Sequence, residues 1–261
     1  MSNFLKRELE WIRKPASARQ AKSRARVKKY EKLVEERKEK RWESGKIVIP
    51  PGRRLGDIVL EVDNLSKTTP HGKVLFQNLS FSVPPGAIVG IVGPNGCGKT
   101  TLLKTLLGEI EADSGTTKMG KTVEAGYVAQ SRAELDETKT VHDEIANGAD
   151  EIDMGGGNMI SSRLYTAQFH FRGKDQGKLI KHLSGGERNR VHLAKMLNYG
   201  YNLIVLDEPT NDLDVQVLSS LEDALSDFVG SSLIVSHDRW FLDRVCTHIL
   251  YFGGDGNAEF F

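Results

Sequence analysis

From residue 58 onward the chain alternates short apolar runs with stretches of helical periodicity. Ile58–Val62 and Leu79–Val83 alternate or run apolar in the manner of strands. Ala87–Val92 (AIVGIV) is an unbroken apolar run, the form taken by a parallel strand buried on both faces. Lys99–Leu107 (KTTLLKTLL) then reads as a helix, and Val123–Val128 as another strand. Residues 139–182 read as mainly helical. They are followed by a helix from Ser184, a strand at Leu203–Leu206, a helix at Val215–Phe228, a strand at Ser232–Ser236 and a helix from Arg239. Alternating strands and helices predict an α/β fold with a mainly parallel sheet covered on its faces. The chain shows no internal repeat.

Residues 3–43 have a different pattern. Leu5, Leu9 and Ile12 share one helical face, and Val27, Tyr30 and Val34 share another. Pro15 breaks the periodicity between them, and Ser17 is a suitable N-cap. The segment reads as a helical hairpin. Ser44–Asp57, with Pro50, Pro51 and several glycines, reads as a linker. The expected organisation is a hairpin over 1–46, a linker over 47–57 and an α/β domain over 58–261.

Charge sharpens that division. The net charge is only +1, but residues 1–46 hold 16 of the 36 Lys and Arg and 7 of the 35 Asp and Glu, a local +9 against −8 for the rest. Arg13, Lys14, Arg19, Lys22, Arg24, Arg26, Lys28 and Lys29 crowd the hairpin's tip and the start of its return helix. A basic appendage on an acidic domain fits a polyanion partner for the appendage alone; a solvated helix face is the alternative. No run approaches the roughly 20 apolar residues of a membrane span, and the N-terminus lacks the apolar core of a signal peptide. Cys97 and Cys246 lack metal-ligand spacing and read as free thiols in a reducing compartment.

Three motifs carry chemistry. Gly93-Pro94-Asn95-Gly96-Cys97-Gly98-Lys99-Thr100 fits G-x-x-x-x-G-K-[ST], and it sits after a buried strand and before a helix, as a phosphate-cradling loop must. Glycines let backbone N–H groups approach phosphate, and the following helix, which Thr101 continues, adds its positive end. Lys99 is expected on the β- and γ-phosphates and the Thr100 hydroxyl on Mg²⁺. Leu203–Glu208 (LIVLDE) is an apolar strand ending in two acids. Asp207 is placed to hold Mg²⁺, and Glu208 to act as general base on the attacking water. Leu183-Ser184-Gly185-Gly186-Glu187-Arg188 offers a second phosphate-binding helix start; a well-capped turn is the plainer reading of it.

These motifs, together with Tyr127-Val-Ala-Gln130, IVLDEPTNDLD (204–214) and IVSHDRWFLD (234–243), occur in the order found in ATP-binding-cassette (ABC) ATPases, which the chain resembles over residues 58–261. The resemblance implies an ABC-type P-loop ATPase domain with a parallel core sheet, an antiparallel-strand subdomain and a helical subdomain. It implies ATP and Mg²⁺ as ligands. Gln130 resembles the glutamine that senses Mg²⁺ and the attacking water, and His237 the switch histidine on the γ-phosphate. Asp214 resembles the aspartate at the interface between two cassettes.

EPTNDLD with SHDRWFLD is similar to the F-type branch (ABC-F), whose members carry two cassettes and act on ribosomes. Residues 9–64, Phe169–Glu187 and Asp243–Phe261 are similar to the inter-cassette linker and second cassette of the translational-throttle family within that branch. The resemblance implies a cytoplasmic protein, or one in an organelle of bacterial descent, that regulates translation. Its basic hairpin would contact tRNA and ribosomal RNA, with no membrane involved. The ATPase subunit of a membrane transporter is the alternative, and it leaves the hairpin unexplained. One phosphate loop and one Ser-Gly-Gly segment imply that a second cassette, from a preceding half or a second copy, completes each ATP site. The isolated chain is then expected to hydrolyse ATP weakly. One departure concerns adenine. Family members place a base-stacking aromatic where Thr69 stands in Lys67-Thr-Thr-Pro-His-Gly72; either His71 stacks instead or base recognition is loose.

Overall fold

In the computed structural model the described residues are 46–128, 135–210 and 213–261. The expected hairpin lies outside them, as does Gln130. Residues 47–261 form one compact unit.

Its centre is a six-stranded sheet in the order β11-β10-β3-β9-β8-β5. β3 (Ile88–Val92), β5 (Ala125–Val128), β8 (Leu203–Asp207), β9 (Ser231–Val235) and β10 (His248–Phe252) run parallel, and β11 (Ala258–Phe260) pairs antiparallel with β10. β8 and β9 are buried at every residue, which is why they read as apolar runs without alternation. The helices α1 (Lys99–Leu106), α4 (Gly185–Asn198), α5 (Val215–Ser226) and α6 (Arg239–Val245) alternate with these strands.

A second, antiparallel sheet has the order β2-β1-β4, with β1 at Leu60–Thr68, β2 at Val74–Val83 and β4 at Ser114–Met119. One cluster joins the two sheets. Leu60, Val62, Phe76 and Phe81 from the antiparallel sheet pack with Val89, Ile91, Val205 and Leu250 from the six-stranded one, around Leu102 and Leu103 of α1. This fixes the β1–β2 hairpin beside the loop that enters α1.

Residues 139–182 depart from the mainly helical expectation. They hold α2 (Val141–Ala146), a small hairpin of β6 (Glu151–Asp153) and β7 (Met159–Ser161), α3 (Ser162–Gln168), and 3-10 turns at Gly173–Gly177 and Ile180–His182. Strands of three residues carry too little alternation to be read from sequence. Residues 47–57 form no helix or strand, yet they are pinned to the domain. Ile47 is fully buried, and Val48 N–H donates to Gln168 Oε1 at 3.1 Å. Asn202 Nδ2 donates to the Arg53 carbonyl at 2.8 Å. Gly52 runs so close to Gly200 that a Cβ there would lie 2.1 Å from the Gly200 carbonyl oxygen.

Candidate active site

The loop from β3 to α1 turns on Gly96 and Gly98, with positive φ of 70° and 112°, the second of which suits glycine alone. Lys99 is nearly buried, and its ammonium donates to the carbonyls of Gly93 at 2.9 Å and Pro94 at 3.0 Å. No side chain caps α1, and its own first turn holds no acid; the carboxylate at its positive end is Asp207, from β8. The Thr100 hydroxyl donates to Asp207 Oδ2 at 2.7 Å, joining α1 to the end of β8.

Tyr127, on the neighbouring strand β5, has its hydroxyl 3.5 Å from that same oxygen. Burial, with the charges of Asp207 and Glu109, raises the Tyr127 pKa, so the phenol stays protonated and donates. Its apolar neighbours in sequence hide this role, because only the pairing of β5 with β8 brings the ring to Asp207.

Glu208 follows Asp207 in the left-handed region, with φ 54°, and its N–H donates to the Val235 carbonyl at 2.9 Å. This places its carboxylate against the loop after β9. Oε2 accepts from the His237 backbone N–H at 3.3 Å. Oε1 lies 3.4 Å from His237 Nε2 without hydrogen-bond geometry, and is buried with no hydrogen-bond partner. The two loops are also joined by Thr210 and Ser236, whose hydroxyls are 3.2 Å apart.

Together these groups border a cleft of about 740 Å³. Of the residues expected in the site, Asn95, Gly96, Gly98, Lys99, Thr100, Thr101, Asp207, Glu208 and His237 line it. Gly93 and Pro94 sit behind Lys99, and Cys97 is buried beneath the loop.

Ser184, Gly185 and Gly186 do not line the cleft; they open α4 elsewhere. Ser184 and Glu187 form a reciprocal capping box there. The Ser184 N–H donates to Glu187 Oε2 at 2.9 Å, and with the Ser184 hydroxyl and nearby Lys178 it holds the Glu187 carboxyl below its ordinary range. Asp214 caps α5 through the N–H groups of Gln216 and Val217.

A strand, glycine loop and helix, with a carboxylate from a parallel strand one place removed in the sheet on the threonine that follows the loop, define a P-loop nucleoside triphosphatase. A protein-family model described as ABC transporter matches residues 76–211, about half of the chain, and the chain belongs to that family. It carries the family's ATP-binding domain.

The chain is 50% identical over 258 residues to the energy-dependent translational throttle protein EttA of Escherichia coli K12 and 52% identical over 256 residues to EttA of Mycobacterium tuberculosis, in each case over 98% of this chain and 46% of the relative. It is 42% identical to the ATP-binding protein Uup of Haemophilus influenzae, over 98% of this chain and 39% of that one. The F-type resemblance read from the sequence is borne out by these relatives. The chain thus spans less than half the length of the curated relatives it matches. Among solved structures, a metal-chelate type ABC transporter in an inward-facing conformation aligns with TM-score 0.59 at 25% identity, over 79% of this chain and 83% of that one. The ATP-binding subunit of an ABC transporter aligns with TM-score 0.60 at 20% identity, over 76% and 87%, and shares the fold. No helix among the described residues is long and apolar enough to cross a membrane.

Proposed function

We propose that this cassette binds and hydrolyses Mg-ATP together with a second cassette and acts on the ribosome to regulate translation. The observation that carries the catalytic part is the convergence of Thr100 on Asp207 at 2.7 Å, beside Glu208 and His237, in the cleft of the phosphate loop. Lys99 exchanges its loop carbonyls for β- and γ-phosphate oxygens as the triphosphate enters. Glu208 orients the attacking water and takes its proton, a role worth about 10²–10⁴ in rate. His237 lies against Glu208 and reaches the γ-phosphate; Gln130 completes the near side by family resemblance. A hydroxyl and a carboxylate are hard oxygen donors, and Mg²⁺ takes one or two such protein ligands beside phosphate and water, so Thr100 and Asp207 fit it. Bound there, Mg²⁺ neutralises charge on the β- and γ-phosphates.

The two-cassette arrangement is supported by the position of Ser184, Gly185 and Gly186 away from this cleft. They serve a nucleotide held on the other cassette, and that cassette returns the same segment here.

Support for ribosomal action comes from the relatives named as translational throttle proteins, whose similarity covers the basic residues of 1–46. Arg13, Lys14, Arg19, Lys22, Arg24, Arg26, Lys28 and Lys29 engage tRNA or ribosomal RNA through backbone phosphates, without interleaved aromatics to read bases. Each neutralised phosphate steepens the salt dependence of binding, by a slope of about −0.7 to −0.9.

The test is co-sedimentation with ribosomes across a salt series, with and without ATP. Binding that falls with salt, and falls further when the eight cations become Ser or Gln, is expected. Salt-insensitive binding, or no effect of the eight changes, sinks the ribosomal reading. The transporter-like fold of the structural neighbours favours a second reading, a permease-bound ATPase subunit. Co-purification with a membrane permease instead of ribosomes would support that one.

A further inference from the structure

The cleft has two ends with different chemistry. Lys99, Thr100 and Asp207 mark the phosphate end. The other wall is the β1–β2 hairpin, represented by Thr69 in its turn and Leu75 at the start of β2. This turn is held over the phosphate loop, because the Lys73 ammonium donates to the Gly96 carbonyl at 2.7 Å. A nucleoside leaving the loop on this side meets Thr69.

Thr69 presents no flat face. Its side chain is folded into its own turn, with the Lys73 N–H donating to Oγ1 at 3.1 Å and the Thr69 N–H to the Lys73 carbonyl at 2.8 Å. His71 is exposed and does not line the cleft. Among the described lining residues the only ring belongs to His237, at the phosphate end against Glu208. The hydroxyl at position 69 both donates and accepts, so it matches the edge of adenine and of guanine alike.

Resting on the reading of this cleft as a triphosphate site, we infer that the cassette selects its substrate by the triphosphate and discriminates weakly among bases. Its substrate class is nucleoside triphosphates in general. Thr69 is the specificity-determining position, by withholding the stacking surface that an aromatic residue would supply.

The experiment is calorimetric titration of the chain, with Mg²⁺, by ATP, GTP, CTP and inorganic tripolyphosphate. Dissociation constants for the three nucleotides within about threefold of one another, and tripolyphosphate within about tenfold, are expected. Thr69→Tyr should tighten ATP by about 5- to 100-fold, the span of one base–aromatic stack, without changing tripolyphosphate. ATP binding at least about tenfold tighter than GTP and CTP to the unaltered chain overturns the inference while leaving the triphosphate site intact. So does a His71→Ala variant that loses ATP but keeps tripolyphosphate, since His71 would then be the stacking ring. A folded Thr69→Tyr chain with unchanged ATP affinity also overturns it. If neither nucleotides nor tripolyphosphate bind, the proposed ATP site itself fails, and this inference with it. The unaltered chain's series decides the matter even if the variant does not fold.

Discussion

Arg190 of α4 reaches Asp214, the N-cap of α5, with Nη1 3.6 Å from Oδ2. The guanidinium also lies over the Phe171 ring, 5.3 Å from its centroid, and its Nε is buried without a hydrogen-bond partner. One side chain thus ties the helix that opens with Ser184 to the loop that follows Glu208. Asp214 is nearly half exposed, so the ion pair is screened and contributes below about 1 kcal/mol, while the cation–π contact adds about 1 to 2. Arg190→Ala should therefore lose more stability than a double-mutant cycle with Asp214→Ala assigns to the pair. Urea unfolding of the four chains checks this, and a coupling above about 2 kcal/mol contradicts the screening argument.

Glu187 makes a pH-dependent contribution. Its carboxyl is held below its ordinary value by the Ser184 N–H, the Ser184 hydroxyl and Lys178. A depressed folded-state pKa stabilises above the unfolded value of about 4.3, and that stability is lost as pH falls through the folded value. Glu187→Ala should cost about 1 kcal/mol at neutral pH, or about 2–4 °C in Tm. The gap from the unaltered chain should close as the pH is lowered below about 4. A gap that persists there would assign the loss to packing.

Substitutions in the phosphate loop should separate strain from collision. Gly98→Ala places a Cβ 2.9 Å from Leu75 Cβ at φ 112°, whereas Gly96→Ala at φ 70° meets only Lys73 Nζ, at 4.0 Å. Gly96→Ala should cost about 1–2 kcal/mol of left-handed strain, and Gly98→Ala about 1–3 kcal/mol of overpacking in addition. Thermal unfolding and triphosphate titration of both variants give the order; equal losses would refute it.

Glu208→Gln should retain nucleotide affinity while turnover falls by about 10²–10⁴. Phosphate release is measured at concentrations where two copies associate, beside ATP titration of the same variant. Unchanged turnover would remove Glu208 as general base.

The chemistry of the cleft was legible wherever it is local. AIVGIV followed by a glycine loop and KTTLLKTLL encodes strand, cradle and helix in one continuous segment, and LIVLDE encodes a buried strand ending in acids. Longer-range features were not legible. β4 is almost wholly exposed, so it has no apolar signature, and β2 begins five residues before its clean alternation at Leu79. Tyr127 on Asp207, Lys73 on Gly96 and Arg190 on Asp214 join positions 80, 23 and 24 residues apart. Glu208's left-handed backbone depends on the Val235 carbonyl, supplied by another strand. The sequence by itself determined which residues could cradle phosphate and which elements carry them, because periodicity and turn chemistry act over a few residues. Only the tertiary structure decided which side chains share the cleft and which stay out of it. The reason is that strand order and packing, rather than spacing along the chain, choose each residue's neighbours.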